Sequence, residues 1–291
     1  MSRGYPMEIA RCRRITPGRS ATRPPCSRWV PLLLMLAGLL HPVGAGAADG
    51  SFQIVTIFAE GFESGLGSWR VDSGSTTWGA STHRAAGGST SAWCAAGGSA
   101  PQPPGGPYLP GMTASMVYGP FSLVDATAAW MEFDAWYETE PAADEVWWGF
   151  SIDDVSYYGF PFSGTSPWSR RTFNFGDIEV VTASGQSQVW VIFYFGSNAA
   201  DQFEGAYIDN LAIKKRVPIP GGCDLVLADQ TVWTTVGYES CGTIAAGPGL
   251  VVDAPGDLTL RAATQVVLHN GFSVASGASM TAALDPSLAG T

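Results

Sequence analysis

The sequence has no H-E-x-x-H anywhere, so the two helical histidines and the glutamate that would hold and activate a zinc-bound water are missing. It also lacks G-x-S-x-G; the nearest approach, Gly237 to Gly242, has the wrong spacing for a nucleophile elbow. Histidine is scarce, with three in 291 residues, and neither His83 nor His269 has an acidic neighbour in sequence. Basic residues are few, 15 Lys and Arg against 25 Asp and Glu. The formal charge of −10 repels phosphate backbones, which excludes nucleic acid as a partner class. No apolar run reaches the roughly 20 residues that span a bilayer.

The longest apolar run, Val30 to Leu40, follows a stretch holding seven Arg and no Lys, and precedes Ala45-Gly46-Ala47. Basic region, apolar stretch and small-x-small site together read as a secretory signal peptide over residues 1–47, cleaved after Ala47. Arg13-Arg14 hints at twin-arginine export, although the residues after it fit that signal poorly. Without the leader, eight basic side chains face 24 acidic ones, a formal charge of −16. Of five cysteines, Cys94, Cys223 and Cys241 remain. In an oxidising compartment Cys223 and Cys241, close in sequence, are expected to pair. Cys94 then stays as a buried thiol.

From Ser51 to Lys215 short runs of β type are separated by Gly, Ser, Pro and Asp, with no helical period of useful length. Ala129 to Glu138 alternates, with Met131, Phe133, Ala135 and Tyr137 on one face. Val146 to Ile152 alternates likewise, which sets Trp147 on the polar face. Gln188 to Phe195 is apolar on both faces and reads as a central strand, or as an inner strand with an aromatic ligand face. Ser99 to Met112, rich in Pro and Gly, reads as a surface loop. In Phe203 to Lys215, alternation turns Ala206, Ile208, Asn210 and Ala212 one way, and Tyr207, Asp209, Leu211 and Ile213 the other. The expected class is all-β: a jelly-roll sandwich over residues 52–215.

A linker is expected over residues 216–222, and a second module over 223–284. There Ile244, Gly249, Leu250, Val252, Leu258 and Leu260 recur 22 positions later as Val266, Gly271, Phe272, Val274, Met280 and Ala282. A fixed period that keeps apolar positions in register predicts stacked rungs, a short β-solenoid.

Phe58 to Trp69, with Glu60, Gly61, Phe62 and Glu63, together with Ser91 to Cys94, Met116 to Phe121 and Ala206 to Leu211, resembles the MAM-like jelly-roll modules of bacterial secreted proteins. Those modules often accompany peptidases of the immune inhibitor A type. The second module is similar to small β-rich repeats near the C-termini of bacterial surface proteins. The resemblance implies a jelly roll whose terminal strands are often tied by an ion, which makes Glu60, Glu63 and Asp209 candidate ligands of a structural calcium. The alternative is that these acids hydrogen-bond to backbone amides or arginine.

Trp136, Trp147, Tyr157, Tyr158 and Trp168 are candidates for a platform that stacks on sugar rings; the alternative is that they pack in the core. The expected function is a secreted, non-catalytic extracellular or cell-surface module for adhesion, with a glycan or surface protein as partner. Two rival readings stay open. One is a carbohydrate-active enzyme using paired carboxylates, Glu132 with Asp134 or Asp153 with Asp154. The other is a structural protein attached to the envelope.

Overall fold

The computed structural model describes residues 13–15, 51–219 and 222–289. Most of the expected leader lies outside the described residues. The described part is all-β, with two single-turn 3-10 helices, Phe175–Asp177 and Pro286–Leu288, and no α-helix. Two compact units are built from it.

The first unit carries β1 (Arg13–Ile15), the end of β2 (Ser51–Glu60), β3 (Arg70–Val71), β4 (Thr77–Ser81), β5 (Ser91–Gly97), β6 (Thr113–Phe121), β7 (Ala128–Glu138), β8 (Glu145–Ser151), β9 (Tyr157–Phe162), β10 (Thr165–Asn174), β11 (Val189–Gly196) and most of β12 (Gly205–Ile219). One antiparallel sheet runs β1-β9-β8-β11-β6-β3; the other runs β10-β7-β12-β5-β4. They face each other across an aromatic core. Phe133 of β7 meets Trp148 of β8 and Phe193 of β11, both at 5.0 Å between ring centroids, and Trp78 of β4 meets Phe193 at 6.4 Å. Aromatic pairs at such spacings add about 1 kcal/mol each beyond the area they bury.

Within this sandwich β7 buries Met131, Phe133, Ala135 and Tyr137 and leaves Trp130, Glu132, Asp134 and Trp136 half-buried, as its alternation predicts. β11 lies between β8 and β6, the central place its apolar composition predicts. β8 departs from expectation: both of its faces are covered, so Trp147 is buried beside Val117, Tyr157 and Ile192. The loop before β6 is anchored through Tyr108, whose N–H donates to Phe203 O and whose hydroxyl donates to the buried Asp144.

β12 also departs from strict alternation. Asn210 takes the left-handed conformation at φ +48°, which inserts an extra residue into the face count. Leu211 and Ile213 are therefore buried in step with Ala206 and Ile208, while Asn210 and Ala212 are half-buried. Asparagine suits this position because its short polar side chain tolerates positive φ. The side-chain amide of Asn210 donates to Asp134 at 2.8 Å.

The second unit contains residues 51–57, 125–128 and those from Lys214 onward. The expected linker at 216–222 is corrected in part, because β12 continues through Ile219. Arg216 accounts for this: its carbonyl accepts the Thr127 N–H, its guanidinium pairs with Glu239 at 3.1 Å, and it lies 3.6 Å over the Phe52 ring. Pro218, exposed near the strand end, removes only one ladder donor.

Next come β13 (Leu225–Leu227), β14 (Gln230–Val232), β15 (Thr235–Ser240), β16 (Thr243–Ala246), β17 (Leu250–Val252), β18 (Asp257–Ala262), β19 (Gln265–Leu268), β20 (Ser273–Val274) and β21 (Ser279–Leu284). They form three parallel ladders, β13-β16-β19, β14-β17-β20 and β15-β18-β21. Ile244 pairs with Val266, Val252 with Val274, Leu258 with Met280 and Leu260 with Ala282, the positions that the 22-residue repeat put in correspondence. Ile244, Leu250, Val252, Leu258 and Leu260 are fully buried at the centre of the stack. Cys223 and Cys241 are joined in a disulfide at its start.

Candidate functional site

The five aromatic candidates divide between the two sheets of the first unit. Trp136 of β7 and Trp168 of β10 flank Tyr207 of β12, at 5.6 Å and 6.5 Å between ring centroids. Trp93 of β5 stacks on Tyr207 at 5.5 Å with an interplanar angle of 5°. Four neighbouring strands thus each contribute one ring. Trp136 lies on the solvent-side register of β7, opposite the alternating residues that fill the core. Trp136 and Trp168 are half-buried, whereas Trp93 and Tyr207 are buried beneath them.

A polar ledge adjoins the rings. Arg84 stands 4.0 Å over Trp136, and its Nε and Nη2 donate to the two oxygens of Glu204 at 2.5 and 2.6 Å. His83 Nε2 is 3.4 Å from Glu204 Oε1. Burial pushes the Glu204 carboxyl upward, but the hydrogen bonds from Arg84 and the Arg84 charge outweigh it and hold the group below the usual range. Trp93 Nε1 donates to the Glu204 carbonyl, which ties the ledge to the rings beneath. Burial, and then the Glu204 carboxylate, push the Tyr207 phenol up.

Trp147 and Tyr157 are corrected as platform residues. Both are buried on the sheet that contains β8 and β9, so neither offers a ring face to solvent. Tyr157 hydrogen-bonds to Asp154 at 2.5 Å, and Asp154 in turn takes two donors from Arg70. Tyr158 is half-buried on β9 opposite Phe150, and lies apart from the cluster around Tyr207. Alternation alone did not single out Tyr207 or Trp93 as ring partners, although both stand in the motifs Ala206 to Leu211 and Ser91 to Cys94. Arg84 gave no signal, because its partner Glu204 lies 120 residues away.

Two of the three expected calcium ligands, Asp209 and Glu63, hold one loop, residues 86–90, whereas Glu60 bonds within its own turn. Asp209 accepts the N–H groups of Ala86, Gly87 and Asn210 at 2.7 to 3.0 Å. Glu63 accepts from the N–H and hydroxyl of Ser89 and the N–H of Thr90. Glu60 accepts the N–H of Phe62, where Phe62 turns the chain at φ +58°. Burial raises the Asp209 carboxyl, the three amides opposing it, while the Ser89 and Thr90 donors lower Glu63. This donor set fits hydrogen-bonded loop anchors, and among the described residues no three His, Cys, Asp or Glu side chains converge as a metal-binding group.

The paired carboxylates are likewise engaged. Asp153 caps its own turn by accepting from Ser151, Val155 and Ser156, and Asp154 is held low chiefly by the Arg70 guanidinium. Glu132 and Asp134 share Arg170, at 3.3 and 3.5 Å. A glycosidase acid needs a carboxyl raised toward neutrality, and Asp154 is shifted the opposite way.

No family model matches the chain, and no curated protein matches it. Three solved structures illustrate what it is similar to. The K3 cleaved adhesin domain of Lys-gingipain from Porphyromonas gingivalis W83 is 14% identical, with 55% of this chain and 98% of that one covered, at a TM-score of 0.36. TmCBM61, in complex with β-1,4-galactotriose, is 12% identical over 53% and 92%, also at 0.36. The CBM22-1 xylan-binding domain of Paenibacillus barcinonensis Xyn10C is 12% identical over 60% and 99%, at 0.35.

Proposed function

We propose that this is a secreted or surface-displayed, non-catalytic recognition protein: a MAM-like jelly roll that binds an extracellular glycan, followed by a short β-solenoid. The observation that carries the ligand class is the pairing of half-exposed Trp136 and Trp168 about Tyr207, beside the Arg84–Glu204 ledge. Ring faces supply apolar contact for the C–H surface of a sugar, and a fixed ion pair supplies donors and acceptors for its hydroxyls. The second unit's reading is supported by parallel ladders at an offset of 22 residues. Secretion rests on the leader pattern, and recovery of exported protein beginning at Ala48 tests it.

A glycan array of the mature chain, followed by calorimetry on the best binder, tests the site. Trp168→Ala should weaken binding about tenfold or more, and Trp136→Ala similarly, with the fold retained. Absence of any glycan ligand, or full affinity in both variants, would sink the reading. Turnover of a bound glycan, lost on mutating Asp153 or Glu132, would favour the enzyme instead.

A structural calcium at Asp209, Glu63 and Glu60 is proposed separately, with the amide donors on these acids weighing against it. If it is bound, millimolar calcium raises the melting temperature and a chelator lowers it. Superimposable curves leave Asp209 as a hydrogen-bond acceptor only.

A further inference from the structure

The parallel stack of the second unit is closed along one ladder at its first rung and open at its last. At the first rung β2 lies antiparallel on β15, with Phe52 to Val55 facing Glu239 to Val236. At the last rung β19, β20 and β21 each pair on one side only among the described residues. Interior positions of the middle rung, Ala246, Val252 and Ala262, are fully buried. Their register partners one rung on, Leu268, Val274 and Leu284, are 51%, 42% and 61% exposed.

Open sheet edges are ordinarily protected by lysine, proline, other charges or a covering segment. Between Arg261 and Asp285 no residue carries a formal charge and none is proline. The chain as a whole is acidic, so two copies repel over most of their surface. The uncharged rung is where that repulsion is weakest.

We infer that this end is a homodimer interface whose occupant is the same end of a second copy. A two-fold axis sets β21 antiparallel to its equivalent about Thr281, which pairs the free backbone groups and covers Leu284 with no like charges opposed. Stacking of this end onto the first rung of another copy is disfavoured, because β2 already occupies β15. The arrangement is therefore closed. It uses the second unit alone and does not depend on the glycan site.

Sedimentation velocity of the mature chain, up to about a hundredfold above a micromolar Kd, reads the inference directly. The wild type should move from monomer to dimer with concentration. Thr281→Lys, at an exposed position that faces itself across the axis, should stay monomeric with an unchanged circular dichroism spectrum. Thr231→Lys, exposed on the first rung, should still dimerise. Should Thr281→Lys misfold, Leu284→Lys takes its place. A monomeric wild type, a dimer that survives both end variants, or open-ended polymers would overturn the inference.

Discussion

Asp209 shows what a buried carboxylate does in this fold. Its three backbone donors belong to residues 86, 87 and 210, so one side chain anchors a loop to a strand more than a hundred positions away. Removing the acceptor leaves three part-buried N–H donors without their partner, each costing on the order of 1 kcal/mol. Asp209→Ala should therefore destabilise by about 3 kcal/mol in urea unfolding. Asp209→Asn, which keeps one carbonyl acceptor, should lose less. Equal losses would show that charge, not acceptance, is what matters. Asp154 illustrates the opposite electrostatics. Its folded carboxyl is lowered, first by hydrogen bonding to Arg70, so its contribution is present above the unfolded value and lost as pH falls through the folded one. Arg70→Ala should thus narrow the loss of melting temperature between about pH 4 and pH 2, with a cost near neutrality of about 1 kcal/mol or less because the guanidinium is largely exposed. An acid limb identical to the wild type's would refute the pairing.

At the scale of elements, the disulfide and the ladders belong to one argument. Cys223 and Cys241, 18 residues apart, close a loop around the first rung. In the chain-entropy account such a loop contributes about 3 kcal/mol. Cys223→Ser with Cys241→Ser should lower the second unit's unfolding free energy by that amount, read as an earlier midpoint, and leave the first unit's transition in place. The ladders were legible in the sequence because a period of fixed length forces apolar residues into register, as Ile244 with Val266 shows. The facing of β12 was not legible past Ile208, because the left-handed turn at Asn210 is a backbone choice that alternation does not encode. Trp147 misled for a different reason. Alternation assigned it correctly to the face opposite Trp148, but it says nothing of whether that face is covered. The ring cluster was half legible: Trp136 and Trp168 stood out by composition, whereas Tyr207 and Trp93 joined them only through strand order.

For the whole molecule, charge decides which ligands can approach. The full chain carries −10 and the expected mature chain −16. Arg84, the cation nearest the rings, is already neutralised by Glu204 at 2.5 Å. A neutral glycan feels little of the surrounding field, while a uronate or sulfated one is repelled at long range. Screening lengths shrink from about 30 Å at 0.01 M salt to about 3 Å at 1 M. Affinity for a neutral oligosaccharide should therefore change less than about twofold across that range. An anionic analogue should bind more weakly at low salt and gain as salt rises. Binding of an anionic glycan that weakens with added salt would mean that a cationic surface, not the Trp136–Trp168 platform, holds the ligand.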